Sequence, residues 1–227
     1  MKVRTLHSWQ VNPAEAREIQ CRLASQVSRR TELVKVEFIA GVDVSTNARL
    51  GLARAAVVIL RFPDLTVEEY ALVEEPIAFP YVPGLLSFRE APSILKAFEG
   101  LKSTPDLVMV DGQGIAHPRR MGLASHLGLL LDLPVIGCAK SILVGQHGDL
   151  PEEQGSLAYL IDGDDVVGAA VRTRKGVKPV YVSIGNKIDL PTAIGLVNNC
   201  CRHYRLPEPT RLAHLAAAGR LPTNTRS

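Results

Sequence analysis

Three acidic side chains, Asp43, Glu90 and Asp111, lie at the edges of predicted strands and helices rather than in a run of charged residues. Asp43 belongs to the strand-like segment VKVEFIAGVDVS, and Asp111 directly follows the apolar segment LVMV. If these two segments form adjacent parallel strands, the carboxylates of Asp43 and Asp111 converge, and their repulsion raises the pKa of one of them. A bound divalent cation removes that repulsion, and oxygen ligands favour Mg²⁺, with Mn²⁺ as a substitute.

Each candidate ligand also has an ordinary structural interpretation. Asp43 can be a strand residue held in a salt bridge, and Asp111 can begin a turn, because Asp-Gly is a common turn dipeptide. Ser87 and Glu90 have the spacing of a helix capping box. His214 lies on a short alanine-rich helix near the end of the chain. There it is either a surface or packing residue, or a metal ligand and proton acceptor.

The segment PYVPG, from Pro80 to Gly84, is a stiff loop because both of its prolines fix φ and restrict the residue before them. A base that stacks on an aromatic ring gains roughly 1–3 kcal/mol, so Tyr81 can hold an unstacked duplex open, as enzymes that act on single bases require. Alternatively, Tyr81 packs as an anchor of its own loop. Gly84, Gly112 and Gly114 allow backbone groups to approach a flat base edge closely.

The elements that must position these residues indicate an α/β fold with a mixed sheet flanked by helices. Helix signals begin at Asn12, with a capping box to Glu15, and predict a helix to about residue 30. Three strands follow as an antiparallel meander, then alternating helices and parallel strands, then a hairpin and two closing helices. In the first strand, alternate residues from Val34 to Val44 form a buried face, and Asp43 points to the opposite face. The predicted elements are strands Leu33 to Val44, Leu52 to Leu60 and Leu65 to Val73, a helix to about Leu101, strand Leu107 to Val110, a helix around Arg119 to Leu131, strand Val135 to Cys138, the hairpin Leu157 to Ile161 and Val166 to Arg172, and helices after Asp189 and from Thr210.

Bulk properties bound the class of protein. The chain has 227 residues, of which 46% are hydrophobic and 22% charged, so we expect a single domain over residues 1–227 with a short flexible tail from about residue 220. It has neither a run of 18 apolar residues nor a secretion signal, which predicts no membrane association. Its four cysteines lack metal or redox spacing, which predicts reduced thiols in a cytoplasmic protein.

The formal net charge of +3 permits nucleic-acid binding without requiring it. Two basic clusters are candidates for contacts with phosphates, although each can also be a solvated basic surface. One cluster follows the glycine loop and the other falls within seven residues. Their members are Arg119 and Arg120, and Arg172, Arg174, Lys175 and Lys178.

Several long strings of the chain resemble the endonuclease V family, which cleaves nucleic acids near deaminated bases, chiefly inosine. They are GVDVS, PYVPGLLSFRE, VDGQGIAHPRRMGLASHLG, GCAKSILVG and YRLPEPTRLAH. The resemblance extends over about residues 10 to 219. It implies a ribonuclease H-like fold, in agreement with the meander followed by alternating helices and strands.

The resemblance also implies roles for individual residues. Asp43, Glu90, Asp111 and His214 match the family's acidic and metal-associated positions, and Pro80, Tyr81, Val82 and Pro83 match its strand-separating wedge. The base pocket corresponds to Gly84, Leu86, Gly112, Gly114 and Leu143, while Lys140 and His117 match positions near the scissile strand. The implied reaction is Mg²⁺-dependent hydrolysis of the second phosphodiester bond 3′ to the altered base, leaving a 3′-hydroxyl and a 5′-phosphate.

Three functional hypotheses follow. The first is a repair endonuclease whose partner is DNA with a deaminated base, either duplex or single-stranded. The second is a ribonuclease specific for inosine in RNA, because the wedge does not distinguish the sugar. The third is a non-catalytic module that binds altered bases. The sequence predicts no protein partner.

Overall fold

The structure is a computed structural model that describes residues 1, 3–47 and 49–221. Its strands are β1 (Phe38–Asn47), β2 (Leu52–Arg61), β3 (Thr66–Pro76), β4 (Leu107–Val110), β5 (Val135–Ala139), β6 (Leu157–Asp162), β7 (Asp165–Val171) and β8 (Val180–Asn186). Its helices are α1 (Pro13–Ala24), α2 (Leu86–Glu99), α3 (Leu123–Leu131), α4 (Leu190–Asn199) and α5 (Glu208–Ala217). The strands form one mixed sheet in the order β3-β2-β1-β4-β5-β8-β7-β6.

The centre of the sheet is parallel and both of its flanks are antiparallel. β1 pairs with β4, and β4 with β5, in parallel, whereas β1, β2 and β3 form the predicted antiparallel meander. This arrangement confirms the predicted α/β class. Strand β8 was not predicted. It inserts between β5 and β7 and is antiparallel to both, so the second half of the sheet does not continue the parallel pattern.

Helices cover both faces of the central strands. One core combines the α4 and α5 face with Ile39 and Met109, and the other combines the α2 and α3 face with Ala40 and Val108. The prediction that one parity of the first strand is buried is therefore incomplete, because both parities are buried. The strand also begins at Phe38, later than predicted, and Val34 is fully exposed.

The seat of α5 on β1 depends on Gly41. A Cβ atom at this position would lie 1.8 Å from the carbonyl oxygen of Pro209, far closer than two packed atoms can approach. The absence of a side chain therefore allows the first turn of α5 to rest directly on the strand. α5 begins at Glu208 with Pro207 as its N-cap, so the predicted start at Thr210 was too late.

Two capping predictions have opposite outcomes. The Asn12 side chain accepts from the N–H groups of Ala14 and Glu15, and Glu15 accepts from the Asn12 N–H, which confirms the capping box. This helix ends at Ala24, however, rather than at about residue 30. The capping box of Ser87 with Glu90 is wrong, because α2 already begins at Leu86 and Ser87 is buried inside it.

Other expectations concern the surface and the ends of the chain. Within the described residues, no helix is long and apolar enough to cross a membrane. The four cysteines are free thiols, as predicted. Most of the tail predicted from about residue 220 falls on residues 222–227, which lie outside the described residues.

We predict that Gly41→Ala destabilises the fold by about 1–3 kcal/mol or more, because the new methyl group must displace the first turn of α5. Urea unfolding measures the loss. Gly195→Ala is the matched control, since a Cβ there meets no atom within 4 Å and alanine is the better helix former in α4. Equal stability of Gly41→Ala and wild type would show that this contact does not constrain α5.

Candidate active site

Asp43 and Asp111 converge because β1 and β4 are parallel neighbours. Val42 lies opposite Val110 in the register, and the Asp111 N–H donates to the Val42 carbonyl over 3.0 Å. The two aspartates follow these paired valines, so both side chains leave the sheet on the face that α5 covers. Their side chains are only 13% and 9% exposed respectively.

α5 brings His214 to the same point. His214 Nδ1 and Asp43 Oδ2 share a hydrogen bond of 2.7 Å, although the two residues are 171 positions apart in the chain. Asp43, Asp111 and His214 each offer one ligand atom, and these atoms lie within 4.8 Å of one another. The seat of α5 on Gly41 is therefore what turns a pair of carboxylates into a three-residue cluster.

The cluster is electrostatically unfavourable for its carboxylates. Burial, followed by the negative charge of Asp111, raises the pKa of Asp43, and the bond to His214 and the charge of Lys140 offset part of that rise. The Lys140 ammonium contacts the Asp111 carboxylate directly. Arg205 fixes the Lys140 backbone by donating to its carbonyl over 2.7 Å. Lys140 therefore neutralises one of the two carboxylates.

Glu90 lies beside this cluster but is not one of its three members. It occupies the second turn of α2, on the opposite side of the sheet from α5. Burial, followed by the charge of Asp43, raises its pKa to about 8, and Asp111 adds to the effect. Of the four predicted metal ligands, the structure thus brings three together at ligand distance and holds Glu90 within electrostatic range.

The residues present suit a hard divalent cation. Two buried carboxylates and an imidazole converge from three elements, and a cation between them would relieve the repulsion that raises the pKa of Asp43. Carboxylate oxygens are the ligands that Mg²⁺ and Mn²⁺ prefer.

The wedge loop is held in place through the carbonyl oxygen of Gly84. Gln20 Nε2 donates to it over 3.0 Å, Arg119 over 2.8 Å, and His117 Nε2 over 3.0 Å. Gly84 has a φ of +76°, and a Cβ there would lie 2.8 Å from the Arg119 guanidinium, so a larger residue would be strained. His117 is buried, which lowers its pKa to about 4, and its Nδ1 accepts from the Arg119 N–H. Tyr81 remains 72% exposed at the tip of the loop.

A cavity of about 170 Å³ opens between this loop and the segment after β4. Pockets for drug-sized ligands measure about 300–1,000 Å³, so this one suits a smaller, flat group. Seven predicted substrate-binding residues line it, and five lining residues were not predicted. The predicted ones are Tyr81, Val82, Pro83, Gly84, Leu86, His117 and Leu143, and the others are Gln20, Ser87, Gln113, Gly122 and Leu123.

Pro80, Gly112 and Gly114 were predicted to bind substrate but are not among the residues that line the cavity. Gly114 packs beneath it, where a Cβ would lie 2.0 Å from the Ile184 carbonyl oxygen. Its N–H donates to Ser183 Oγ over 2.8 Å. Gly114 therefore anchors the segment after β4 to β8 and does not offer its N–H group to a base.

The arginines of the two basic clusters make internal contacts. Arg120 pairs with Asp162 at 2.7 Å and with Asp165 at 3.1 Å, which fixes the β6–β7 hairpin. Arg172 donates to three backbone carbonyls, and Arg174 donates to a fourth. These contacts hold loops together, so neither cluster is a simple array of free cations for phosphates.

The comparisons with known proteins agree with this geometry. A family model described as Endonuclease V matches residues 21–215. An Endonuclease V from Dehalococcoides mccartyi is 52% identical over 218 residues, which cover 96% of this chain and 98% of that protein. The chain belongs to the endonuclease V family. Membership confirms the resemblance of the sequence strings and the predicted class of activity, an endonuclease.

Solved structures of endonuclease V proteins share the fold. The one from Streptomyces avermitilis superposes with a TM-score of 0.89 at 40% identity, covering 96% of this chain and 97% of that one. An endonuclease V from Ciona intestinalis, solved with a 23mer DNA containing an inosine followed by a ribo-adenosine, gives 0.82 at 29% identity. It covers 93% of this chain and 98% of its own. These matches confirm the predicted mixed-sheet fold.

We predict that Glu90→Gln stabilises the metal-free protein at high pH. The pKa of Glu90 rises from 4.5 to about 8 on folding, so the proton it binds stabilises the fold fully below pH 4.5, and this contribution is lost as the pH rises through 8. Glutamine mimics the protonated form. The variant should match wild type near pH 4.5 and exceed its stability at pH 9 by up to about 4 kcal/mol.

Urea unfolding in EDTA across this pH range measures the difference. Glu99→Gln, which replaces an exposed carboxylate of the same helix, is the control and should follow the wild-type profile. If the profiles of Glu90→Gln and wild type run parallel from pH 4.5 to 9, Glu90 does not carry the raised pKa.

Proposed function

We propose that this member of the endonuclease V family is a DNA repair enzyme that nicks DNA beside deaminated bases, chiefly deoxyinosine. It hydrolyses the second phosphodiester bond 3′ to the altered base and leaves a 3′-hydroxyl and a 5′-phosphate. The observation that carries this proposal is the cluster of Asp43, Asp111 and His214, with ligand atoms within 4.8 Å, on a fold shared with endonuclease V structures. We further propose that residues 1–227 act as a single domain, and that its free thiols suit the cytoplasm.

Asp43, Asp111 and His214 would hold a Mg²⁺ ion, for which Mn²⁺ can substitute, and Glu90 would complete the site. When bound, the cation neutralises charge that develops on phosphorus and lowers the pKa of a water molecule. Glu90, whose pKa of about 8 lies near neutrality, is suited to accept a proton from the attacking water or to orient it.

Lys140 is proposed to supply positive charge to the phosphate or to the leaving oxygen. Its ammonium contacts Asp111, and its side chain is 40% exposed, so it can reach substrate without leaving the cluster. Preorganised charge of this kind stabilises the transition state more than the ground state.

The wedge and the cavity are proposed to recognise the altered base together. Tyr81, exposed on a loop that three donors hold through Gly84, would stack against the duplex and keep it open. The extruded base would then enter the cavity beside Leu86 and Leu143. The base is read without being altered chemically, so no glycosylase-type nucleophile is needed.

One observation favours a second candidate, an endoribonuclease specific for inosine. The DNA bound to the Ciona intestinalis protein carries a ribo-adenosine directly after its inosine. A ribose at that position is therefore compatible with binding in a protein of the same fold.

We predict that purified protein with Mg²⁺ nicks a labelled duplex containing one deoxyinosine at the second bond on its 3′ side. Asp43→Ala and Asp111→Ala should each lower the rate by at least about 100-fold, because loss of a carboxylate removes charge stabilisation at the reacting phosphate. Gel mapping of the labelled products to single nucleotides locates the cut and measures the rate.

Glu99→Ala, on the exposed surface of α2, is the control for non-specific effects of losing a carboxylate. Unchanged nicking by both aspartate variants would leave only the non-catalytic, base-binding hypothesis. Matched DNA and RNA strands, each with a single inosine, separate the two enzymatic hypotheses. Cleavage of the RNA alone would make the ribonuclease hypothesis correct.

We predict that Tyr81→Ala slows cleavage of an inosine-containing duplex about tenfold more than it slows cleavage of the same single strand. Stacking on the ring is worth roughly 1–3 kcal/mol per base, and only the duplex must be held open. Single-turnover rates on the two substrates give the comparison. Tyr81→Phe, which keeps the ring, should retain the wild-type ratio. Equal losses on both substrates would contradict the wedge role.

A further inference from the structure

The base cavity has four polar side chains in its wall: Gln20, Ser87, Gln113 and His117. A base edge presents both donors and acceptors, so the free hydrogen-bonding groups of these side chains determine which edge fits. Their partners within the protein leave a definite remainder.

Two of the four side chains are fully committed to the protein. Gln20 Nε2 donates to the carbonyl oxygens of Gly84 and Met121, and its Oε1 accepts from Arg119 over 2.6 Å. His117 donates from Nε2 to Gly84 and accepts at Nδ1 from the Arg119 N–H. These residues position the wedge loop and have little capacity left for a ligand.

Gln113 is committed at one end only. Its Nε2 donates to the Ser141 carbonyl oxygen over 2.8 Å. Because a carbonyl oxygen can only accept, this bond fixes which end of the amide is nitrogen. Among the described residues, Gln113 Oε1 is the buried side-chain polar atom that has no hydrogen-bond partner. The side chain therefore offers the cavity an acceptor in a fixed orientation.

Ser87 offers an acceptor too, because of a chain of hydrogen bonds behind it. His7 Nδ1 must donate to the Ser8 carbonyl over 2.8 Å, so in neutral His7 the Nε2 atom accepts from His126 Nε2 over 2.7 Å. His126 Nδ1 then accepts from the Ser87 hydroxyl over 3.1 Å. Burial lowers the pKa of both histidines, that of His126 to about 3, which keeps both neutral. The hydroxyl hydrogen of Ser87 thus points away from the cavity.

The unused side-chain groups of the cavity wall are therefore acceptors, and acceptors require a base that carries N–H groups. Hydrolytic deamination creates such a group. When the exocyclic amine of adenine is replaced by a carbonyl, ring atom N1 changes from a bare acceptor to an N–H donor, and N3 of cytosine changes in the same way. An acceptor facing this ring position attracts the deaminated base and repels the lone pair of the normal one.

We propose that Gln113 is a specificity-determining residue whose Oε1 accepts a hydrogen bond from the ring N–H that deamination creates. This inference rests on the proposed function. Gln113 lies two residues after Asp111 in the segment that follows β4, so the group that reads the base and a carboxylate of the metal cluster belong to one short segment. A fixed acceptor there links recognition to the position of the cut.

The test compares three single-stranded oligonucleotides that differ in one base: hypoxanthine, unsubstituted purine and adenine. Unsubstituted purine lacks the N1 hydrogen, and single strands remove differences in base pairing. Gln113→Met keeps the length of the side chain but lacks the acceptor. Gln113→Glu keeps an acceptor but loses the donor to Ser141. Cleavage rates under single-turnover conditions give the hypoxanthine-to-purine ratio for each protein, in which any general loss of activity cancels.

We expect the ratio to fall about tenfold or more in Gln113→Met, the equivalent of one neutral hydrogen bond, and to be largely kept in Gln113→Glu. A wild-type ratio in Gln113→Met overturns the inference. An equal fall in both variants also overturns it, because the bond to Ser141 would then be responsible. Failure of the wild-type protein to prefer hypoxanthine over adenine would instead refute the proposed function.

Discussion

The site depends on two carboxylates held side by side against their mutual repulsion. Asp43 and Asp111 are adjacent because β1 and β4 pair in parallel, and both are largely removed from water. Their repulsion is offset locally by Lys140 and by the hydrogen bond to His214, while the apolar cores on both faces of the sheet supply the remaining stability. Removing the charge of a nearby carboxylate would therefore stabilise the fold and impair the site, the usual conflict between stability and activity.

Recognition and chemistry share one structural unit, the short segment after β4. It begins with Asp111 in the acidic cluster, passes Gln113 in the cavity wall, and is fixed by Gly114 against β8. Because a displacement of this segment would move both the cluster and the cavity wall, packing beneath it matters as much as the groups that face substrate. The contact of Gly114 with the Ile184 carbonyl leaves no room for a side chain, which limits that displacement.

Local signals in the sequence predicted much of this molecule, and long-range contacts account for what was missed. The meander, the LVMV strand and the Asn12 cap follow from residues close together in the chain, and the parity of the strands correctly placed Asp43 and Asp111 on one face. Strand β8 carries a usable alternation of Val180, Val182 and Ile184 that was overlooked. The cavity roles of Gln20 and Ser87 depend on the packing of α1 and α2, which no local pattern encodes. Glu90 was placed correctly near the cluster, but its distance from the other ligands could not be derived from spacing.

The three hydrogen bonds that converge on the Gly84 carbonyl have a consequence for how lesions are found. A loop restrained by three side chains cannot yield when a closed duplex meets it, so opening must come almost wholly from deformation of the nucleic acid. Steps that are already weakly paired open most readily, since unstacking and unpairing are least unfavourable at a mismatched base. An unyielding loop would thus sample the local stability of the helix before any group of the cavity contacts a base, giving an early selection that is independent of base identity.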